Sequence, residues 1–435
     1  MSGGTGAMRS ILNSRAYARR PLDSDAEIEI TVAPPKAVGE VVVFSRPLTV
    51  LVLAPTLHAG AADAGAVDLV RILRGAGHRV LIASNGGRLE DEVTDAGAEF
   101  IRLDVADFNP IFIARAALAL RGVVRRERCD VIHAHGRAAA WAGLVVSRAT
   151  GVPLITTWHK GHREQNIFKR LWNSSMVRGA RVIAVSDQIA EMITERHRTP
   201  SERIRVVPAA IDMARFDPAL VSEDRLDTIR RSWGVAPDTK VILVVGRMLR
   251  RKGHHVVVNA VHRLKERGLK DFVCVFAGED QGRTRYTGEL WDLVTETGTS
   301  EVVRLTGAVD DDMPAAYAAA TVVVSASIQP EGLQRAILEA QAMARPVVVS
   351  NLAAGPDAVL APPAVAEDRM TGLRVPAGDE GALAAALIRL FSLSDARRAG
   401  IGARGRTWVA EHFDAASVAR ATLSLYADVT RARPV

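Results

Sequence analysis

A chain of 435 residues exceeds one ordinary hydrophobic core and suits two domains of about 170 to 200 residues each. Hydrophobic residues make up 48% and charged residues 24%, a globular balance, and aromatics at 5% leave little material for base stacking, so nucleic acid is not an expected partner. The net charge of +7 comes from arginine spread along the chain, which points to an anionic substrate or an anionic membrane surface.

Residues 1–46 are rich in Gly, Ser, Arg and Pro without sustained periodicity and read as a flexible basic arm carrying Arg9, Arg15, Arg19 and Arg20. From "LTVLVLAP" onward, short β-branched runs alternate with helical ones: "AVDLVRILRGAGH", "RVLIAS", "GRLEDEVTDAGA", "EFIRLD", an Arg/Ala-rich helix, "CDVIHAH", "AWAGLVVSRATG" and "PLITTWH". That alternation predicts a parallel sheet with helices on both faces. "RVIAVS", "DQIAEMITERH" and "RIRVVPAAID" complete a first domain over 47–213. The polar stretch 214–238 has no strand pattern and reads as the linker. The alternation restarts at "VILVVG" and defines a second domain over 239–410, and a helix in 411–435 is expected to return to the first domain. The fold class is therefore α/β, with two doubly wound Rossmann-like lobes facing each other. In such sheets ligands bind beyond the carboxyl ends of the strands, so the cleft between the lobes is the expected site.

No apolar run reaches the length of a bilayer span: "VVVFSRPLTVLVLAP" is cut by Arg46 and Pro47, and the first 25 residues lack an apolar signal core. The two cysteines, Cys129 and Cys274, have neither metal nor disulfide spacing. These features predict a cytoplasmic protein whose contact with an anionic membrane, if it makes one, is peripheral.

Several residues in this frame carry chemistry. "VVGRMLRRKGHH" sets Arg247 just past a strand and Lys252 five residues later beside Gly253, two cations suited to a diphosphate. No G-x-G-x-x-G follows either first strand and no P-loop occurs, which removes the main support for dinucleotide oxidoreductases and P-loop NTPases. After the first strand, Gly60 offers backbone to a ligand. His133 and His135, then His159 and His162, follow later strands, with His159 directly after "LITTW". No cluster has metal-ligand spacing, so no metal is expected. In "QPEGLQRAILEAQAMARPVVVS", Leu333, Ile337, Leu338, Ala340 and Met343 recur at helical spacing. This predicts Glu331 at a helix mouth and Glu339 about two turns in, serving groups on the order of 10 Å apart with amides between them. A long anionic ligand fits such an arrangement.

Taken together, "GAGHRV", "VIAVS" with "RIRVVP", "GRMLRRKG", "VRLTGAVDDDMPAAY" and "PEGLQRAILEAQAMARPVVVS" resemble, over residues 48 to 430, the retaining nucleotide-sugar glycosyltransferases with the two-lobed GT-B fold, in particular bacterial lipopolysaccharide and envelope-glycan types. The resemblance implies that Glu331 contacts hydroxyls of the donor sugar and that Glu339 holds the ribose. The diphosphate would lie on the amides of Gly332 and Leu333, held by Arg247 and Lys252, with the nucleobase near Val309. His159 would face the donor sugar and acceptor, and Gly60 would lie in the loop closing over the reaction centre. It further implies a metal-independent transfer of a hexose from a nucleoside diphosphate sugar, as substrate rather than cofactor, to an envelope glycan or lipid-linked acceptor. The setting would be the inner face of the cytoplasmic membrane.

The sequence departs from the family pattern where Gly332, Leu333 and Gln334 replace Gly-Phe-Gly or Ala-Phe-Gly. Gly60 and Ala61 stand for a Gly-Gly pair, and Ala209 and Ala210 for Asn-Gly. Donor identity is left open by these changes, as are two alternatives: a sugar-nucleotide-binding subunit with reduced catalysis, and a GT-B epimerase or phosphorylase. The stretch 360–370 reads as an insertion.

Overall fold

The structure is a computed structural model that describes residues 44–58, 60–161, 166–280, 282, 284–309, 312–329, 331–352 and 355–431. The basic arm up to residue 43, and His162, lie outside the described residues. At the arm's end Arg46 forms an ion pair with Asp130, whose carboxylate also accepts from the Thr49 amide at 2.8 Å.

Two parallel sheets organise the chain. The first contains β1 (Thr49–Leu53), β2 (Arg79–Ser84), β3 (Glu99–Arg102), β4 (Val131–Ala134), β5 (Leu154–Trp158), β6 (Arg181–Ala184) and β7 (Ile204–Val206), in the order β3-β2-β1-β4-β5-β6-β7. The second contains β8 (Lys240–Val245), β9 (Phe272–Ala277), β10 (Val303–Gly307), β11 (Val322–Ser325), β12 (Val347–Ser350) and β13 (Gly372–Val375), in the order β10-β9-β8-β11-β12-β13. Helices cover both faces, which explains why the central strands read as continuous apolar runs rather than alternating ones. In β1, Val50 and Val52 enter one core while Leu51 and Leu53 enter the core on the opposite face. In β8, Ile242 and Val244 are likewise separated from Val241 and Leu243. This is the expected α/β architecture of two doubly wound lobes. The strand order reverses between β1 and β4 and between β8 and β11, and a crevice opens at such switch points.

The stretch 214–238 holds the helix Glu223–Ser232, capped by the Ser222 hydroxyl. Phe216, Trp233 and Val235 around it are buried in the core of the second lobe beside Tyr317. The last helix, Ala415–Arg431, packs Val418, Leu425, Tyr426 and Val429 into the core of the first sheet. Near this crossing the Ile211 amide donates to the Phe413 carbonyl at 2.9 Å. The 360–370 stretch is pinched at its base, where the Thr371 amide donates to the Leu360 carbonyl at 2.9 Å and the Leu360 amide to the Thr371 hydroxyl at 3.0 Å. Both cysteines are buried, and burial pushes the Cys129 thiol up to about 12, which leaves it unreactive at neutral pH. No helix among the described residues is long and apolar enough to cross a membrane.

Candidate active site

Most residues singled out in the sequence follow the carboxyl end of a strand or belong to the segment after it, but His133, expected to follow β4, lies within that fully buried strand. Gly60 follows β1, His159 follows β5, Arg247 follows β8, Val309 follows β10, and Glu331 to Glu339 follow β11. All of them, with Lys252, Gly332 and Leu333, line one cleft between the lobes. Within each lobe the sheet topology brings them together, because parallel strands deliver every following loop to the same edge, and the two edges meet at the cleft.

The Glu331 segment differs from its sequence reading. The helix runs from Arg335 to Ala342, so Glu331 lies four residues ahead of it in non-helical chain that bends at Gly332, and Glu339 is just over one turn in. Tertiary contacts override the local periodicity here. The Ser325 hydroxyl donates to the Gln334 side-chain oxygen, holding that residue as an extended cap, and Gly332 is wedged against the other lobe. A β-carbon at Gly332 would stand 1.8 Å from the main-chain carbonyl oxygen of His159, so only glycine allows this approach. Leu333, at the position of the family pattern's Phe, turns into the core beside Ile337 and is 6% exposed, and the bulkier replacement is Gln334 where the pattern has Gly.

The Glu331 carboxylate is gripped by Arg251 and by Lys252 at 2.6 Å, and it accepts from the Ser327 hydroxyl at 3.2 Å. Burial raises its pKa, but the two cations outweigh that and hold it below the ordinary carboxylate value. Lys252 is presented by a short 3-10 turn, Arg250–Lys252, closed by Gly253 at φ +73, where any side chain would meet the Ala326 carbonyl at 1.9 Å. Farther along the cleft the buried Tyr317 hydroxyl donates to Glu339 at 2.8 Å. Arg335 lies 3.7 Å from the same carboxylate and also pairs with Asp68 of the first lobe.

On the first-lobe wall the Asp63 carboxylate organises the Gly60 loop, accepting from the Gly60 amide at 2.9 Å, the His58 amide at 3.3 Å and the Thr56 hydroxyl at 3.1 Å. Behind it three histidines stack. His133 meets the Tyr426 hydroxyl at 2.6 Å and the Thr157 hydroxyl at 2.7 Å, and His135 Nδ1 meets His159 Nε2 at 2.9 Å. Burial, reinforced by repulsion from Lys160, pushes His159 down to about 4, so at neutral pH its ring is an uncharged hydrogen-bonding partner. Of the described residues lining the cleft, ten are Lys or Arg and five are Asp or Glu, an excess of positive charge that favours an anionic ligand. Lys160 registers this excess: burial and then repulsion from Arg251, Arg137 and Arg247 hold it below the ordinary lysine value. No three His, Cys, Asp or Glu side chains among the described residues converge as metal ligands.

Residues 239–392 match the family model "Glycosyl transferases group 1", and residues 63–215 match "Glycosyltransferase Family 4". A D-inositol 3-phosphate glycosyltransferase of Actinosynnema mirum is 31% identical over 68% of this chain and 73% of its own length. The chain belongs to the group 1 glycosyltransferases. A D-inositol 3-phosphate glycosyltransferase of Xylanimonas cellulosilytica is 29% identical over 77% of this glycosyltransferase and 81% of itself. Among solved structures, a glycosyltransferase from Rickettsia africae superposes with a TM-score of 0.79 at 25% identity, covering 89% of this chain and 100% of its own. HepE of Anabaena, in complex with UDP and glucose, shares the fold with a TM-score of 0.74 at 19% identity, over 87% of this chain and 99% of that one. The enzyme is thus a GT-B glycosyltransferase.

Sequence reading did not single out Arg251, Arg335, Asp63 or Asp68 in this glycosyltransferase. Asp63 alone had a local signal, as an acid in the first turn of a helix three residues past its N-cap Gly60, placed to accept from the Gly60 amide. The buried histidines give a testable pH dependence. Burial, then a neighbouring histidine, pushes His133 down to about 3, and burial, then Lys252, pushes His254 down to about 4. The unfolded chain protonates these rings near pH ~6.5, so it binds more protons than the folded chain below that pH. Stability from them is complete above about pH 6.5 and declines as pH falls toward about 4, by on the order of 3 kcal/mol for a shift the size of that at His254. Urea midpoints measured from pH 7 down to 4.5 should fall less steeply in His133→Gln and His254→Gln; slopes equal to that of the parent would count against this account.

Proposed function

We propose that this glycosyltransferase moves a hexose from a nucleoside diphosphate sugar to a hydroxyl of an anionic envelope-glycan or lipid-linked acceptor, with retention at the anomeric carbon and without a divalent metal. The observation that carries this reading is the convergence of Arg251 and Lys252 on Glu331, with Arg247 on the same wall and Glu339 farther along the cleft. The diphosphate would lie against Arg247, Lys252 and the amides of Gly332 and Leu333, the ribose hydroxyls would reach Glu339, and the base would rest near Val309. Fixed cations then supply the charge neutralisation that a divalent ion supplies elsewhere. Glu331 would accept from donor hydroxyls, and uncharged His159 would face the sugar and acceptor. As the bond from the anomeric carbon to the diphosphate breaks, the acceptor oxygen would bond to that carbon on the same face and pass its proton to the departing phosphate. Arg137 and Lys160 on the first-lobe wall suit a negatively charged acceptor. The relatives named for inositol 3-phosphate are in keeping with a phosphate-bearing acceptor but do not bear on whether it is an envelope glycan or lipid-linked, and the neighbour bound to UDP and glucose is in keeping with the donor. The enzyme would act on the cytoplasmic side, peripheral to the inner face of the membrane.

Calorimetry with UDP, GDP and ADP beside a transfer assay tests the site. Arg247→Ala and Lys252→Ala should each lower kcat/KM by on the order of 10², with the fold retained by circular dichroism. EDTA should leave the rate unchanged. Near-parental kcat/KM in both variants, or activity abolished by EDTA and restored by manganese, would sink the assignment.

A further inference from the structure

Eight of the ten large hydrophobic side chains exposed among the described residues lie between Phe108 and Leu171. Apart from Phe108 itself, they belong to three helices of the first lobe: Pro110–Arg126, Arg137–Thr150 and Ile167–Asn173. Ile167 and Phe168 are 76% and 78% exposed, Leu118 70% and Ile111 67%. They are not loose ends. The Trp141 ring nitrogen donates to the Trp172 carbonyl at 3.0 Å, and the Phe108 and Trp172 rings are 5.6 Å apart, which ties the helices into one face. An apolar groove between the first two helices, lined by Ile113, Leu118 and Val145, adds to it.

The charge on the same helices is one-sided. The first carries Arg115, Arg121, Arg125 and Arg126, the second Arg137 and Arg148, and the third Lys169 and Arg170, with no Asp or Glu in any of them. The face also runs into the reaction cleft, because Phe108, Ile167, Lys169 and Arg170 line the cleft wall.

We infer that this face docks the enzyme on an anionic lipid bilayer, presenting the cleft mouth to a lipid-linked acceptor. Exposed apolar side chains among basic ones, without acids, match the boundary between headgroups and acyl chains of an anionic leaflet. A second copy of the same face would bring like charges together, which argues against self-association. The docking itself stands on the surface; only the statement about the acceptor rests on the proposed function.

The test is co-sedimentation of the full chain with phosphatidylcholine vesicles and with vesicles of equal parts phosphatidylcholine and phosphatidylglycerol. The chain should partition onto the anionic vesicles. The variant combining Ile111→Ser, Leu118→Ser and Phe168→Ser changes exposed side chains outside the cleft wall, so it should fold and lower the partition coefficient by on the order of tenfold. Arg115→Gln with Arg125→Gln should weaken binding and flatten its salt dependence. Because these variants keep residues 1–43, serine-variant binding equal to the parent would assign the attraction to the arm and overturn the inference. A parent that binds neither vesicle, or that self-associates in sedimentation velocity while the serine variant does not, would also overturn it. Calorimetry with UDP, GDP and ADP on the same preparations separates the two readings: failure to bind any of them with vesicle binding intact refutes the proposed donor site and leaves the surface standing.

Discussion

Glu331→Gln is expected to lower kcat by on the order of 10³ while leaving affinity for the free nucleoside diphosphate almost unchanged. The substitution preserves size and removes the charge that Arg251 and Lys252 grip. Two consequences follow at the two ends of the donor. At the sugar, a charged acceptor for hydroxyls is lost and the hexose is no longer held for attack. At the diphosphate, the cations lose an internal partner and become more available to phosphate, so nucleotide binding should hold or tighten slightly. Glu339→Gln should behave in the opposite way. Its carboxylate sits beyond the cations, held by Tyr317 and Arg335, and replacing it should weaken the bare nucleotide by about tenfold or more, since bonds to a charged acceptor contribute roughly 1.5 to 3 kcal/mol. Calorimetry and the transfer assay separate the two. If Glu331→Gln weakens the nucleotide as much as Glu339→Gln does, the division of the cleft into a sugar end and a ribose end is wrong.

Alternation of β-branched runs with helical ones was enough to read both sheets, and the positions after strands were enough to place His159 at the carboxyl edge of the first sheet and Arg247 and Glu331 at that of the second. The misread part is instructive. Leu333, Ile337, Leu338, Ala340 and Met343 do share an apolar face, yet the helix begins only at Arg335 because Gln334 is held by Ser325 and Gly332 by the other lobe. Neither contact leaves a mark on local periodicity. Arg251 was missed for a related reason. In the run Arg250, Arg251, Lys252 the three side chains are chemically alike, and only the turn closed by Gly253 directs the last two at Glu331 while Arg250 pairs with Glu289. The pairing of Asp68 with Arg335 spans 267 positions and depends on both lobes being folded.

That dependence of the site on the meeting of the lobes makes Gly332→Ala the most informative substitution. The added β-carbon would stand 1.8 Å from the His159 carbonyl oxygen, 2.9 Å from its carbonyl carbon and 3.5 Å from the Lys160 Cα, all main-chain atoms that no rotamer change can move aside. Either the lobes separate or the non-helical segment from Glu331 to Gln334 shifts, and both displace Glu331 and the neighbouring amides relative to His159. A misplacement of about 1 Å costs on the order of 10² in rate, and two partners moving together should bring the loss in kcat/KM to about 10³. The Gly332 and Leu333 amides assigned to the diphosphate would shift, but the charge-assisted contacts from Arg247 and Lys252 and the ribose contact at Glu339 lie elsewhere in the second lobe, so binding of the free nucleoside diphosphate should fall by only a few-fold. The cores of both lobes are untouched, and the thermal midpoint should move by only a few degrees. A variant that retained parental kcat/KM would mean that the approach of Gly332 to His159 is not required in the reacting enzyme. One that lost nucleotide affinity and activity in equal measure would locate the damage in the second lobe rather than between the lobes. Loss of transfer with binding and stability preserved is the signature of a reaction centre assembled from both.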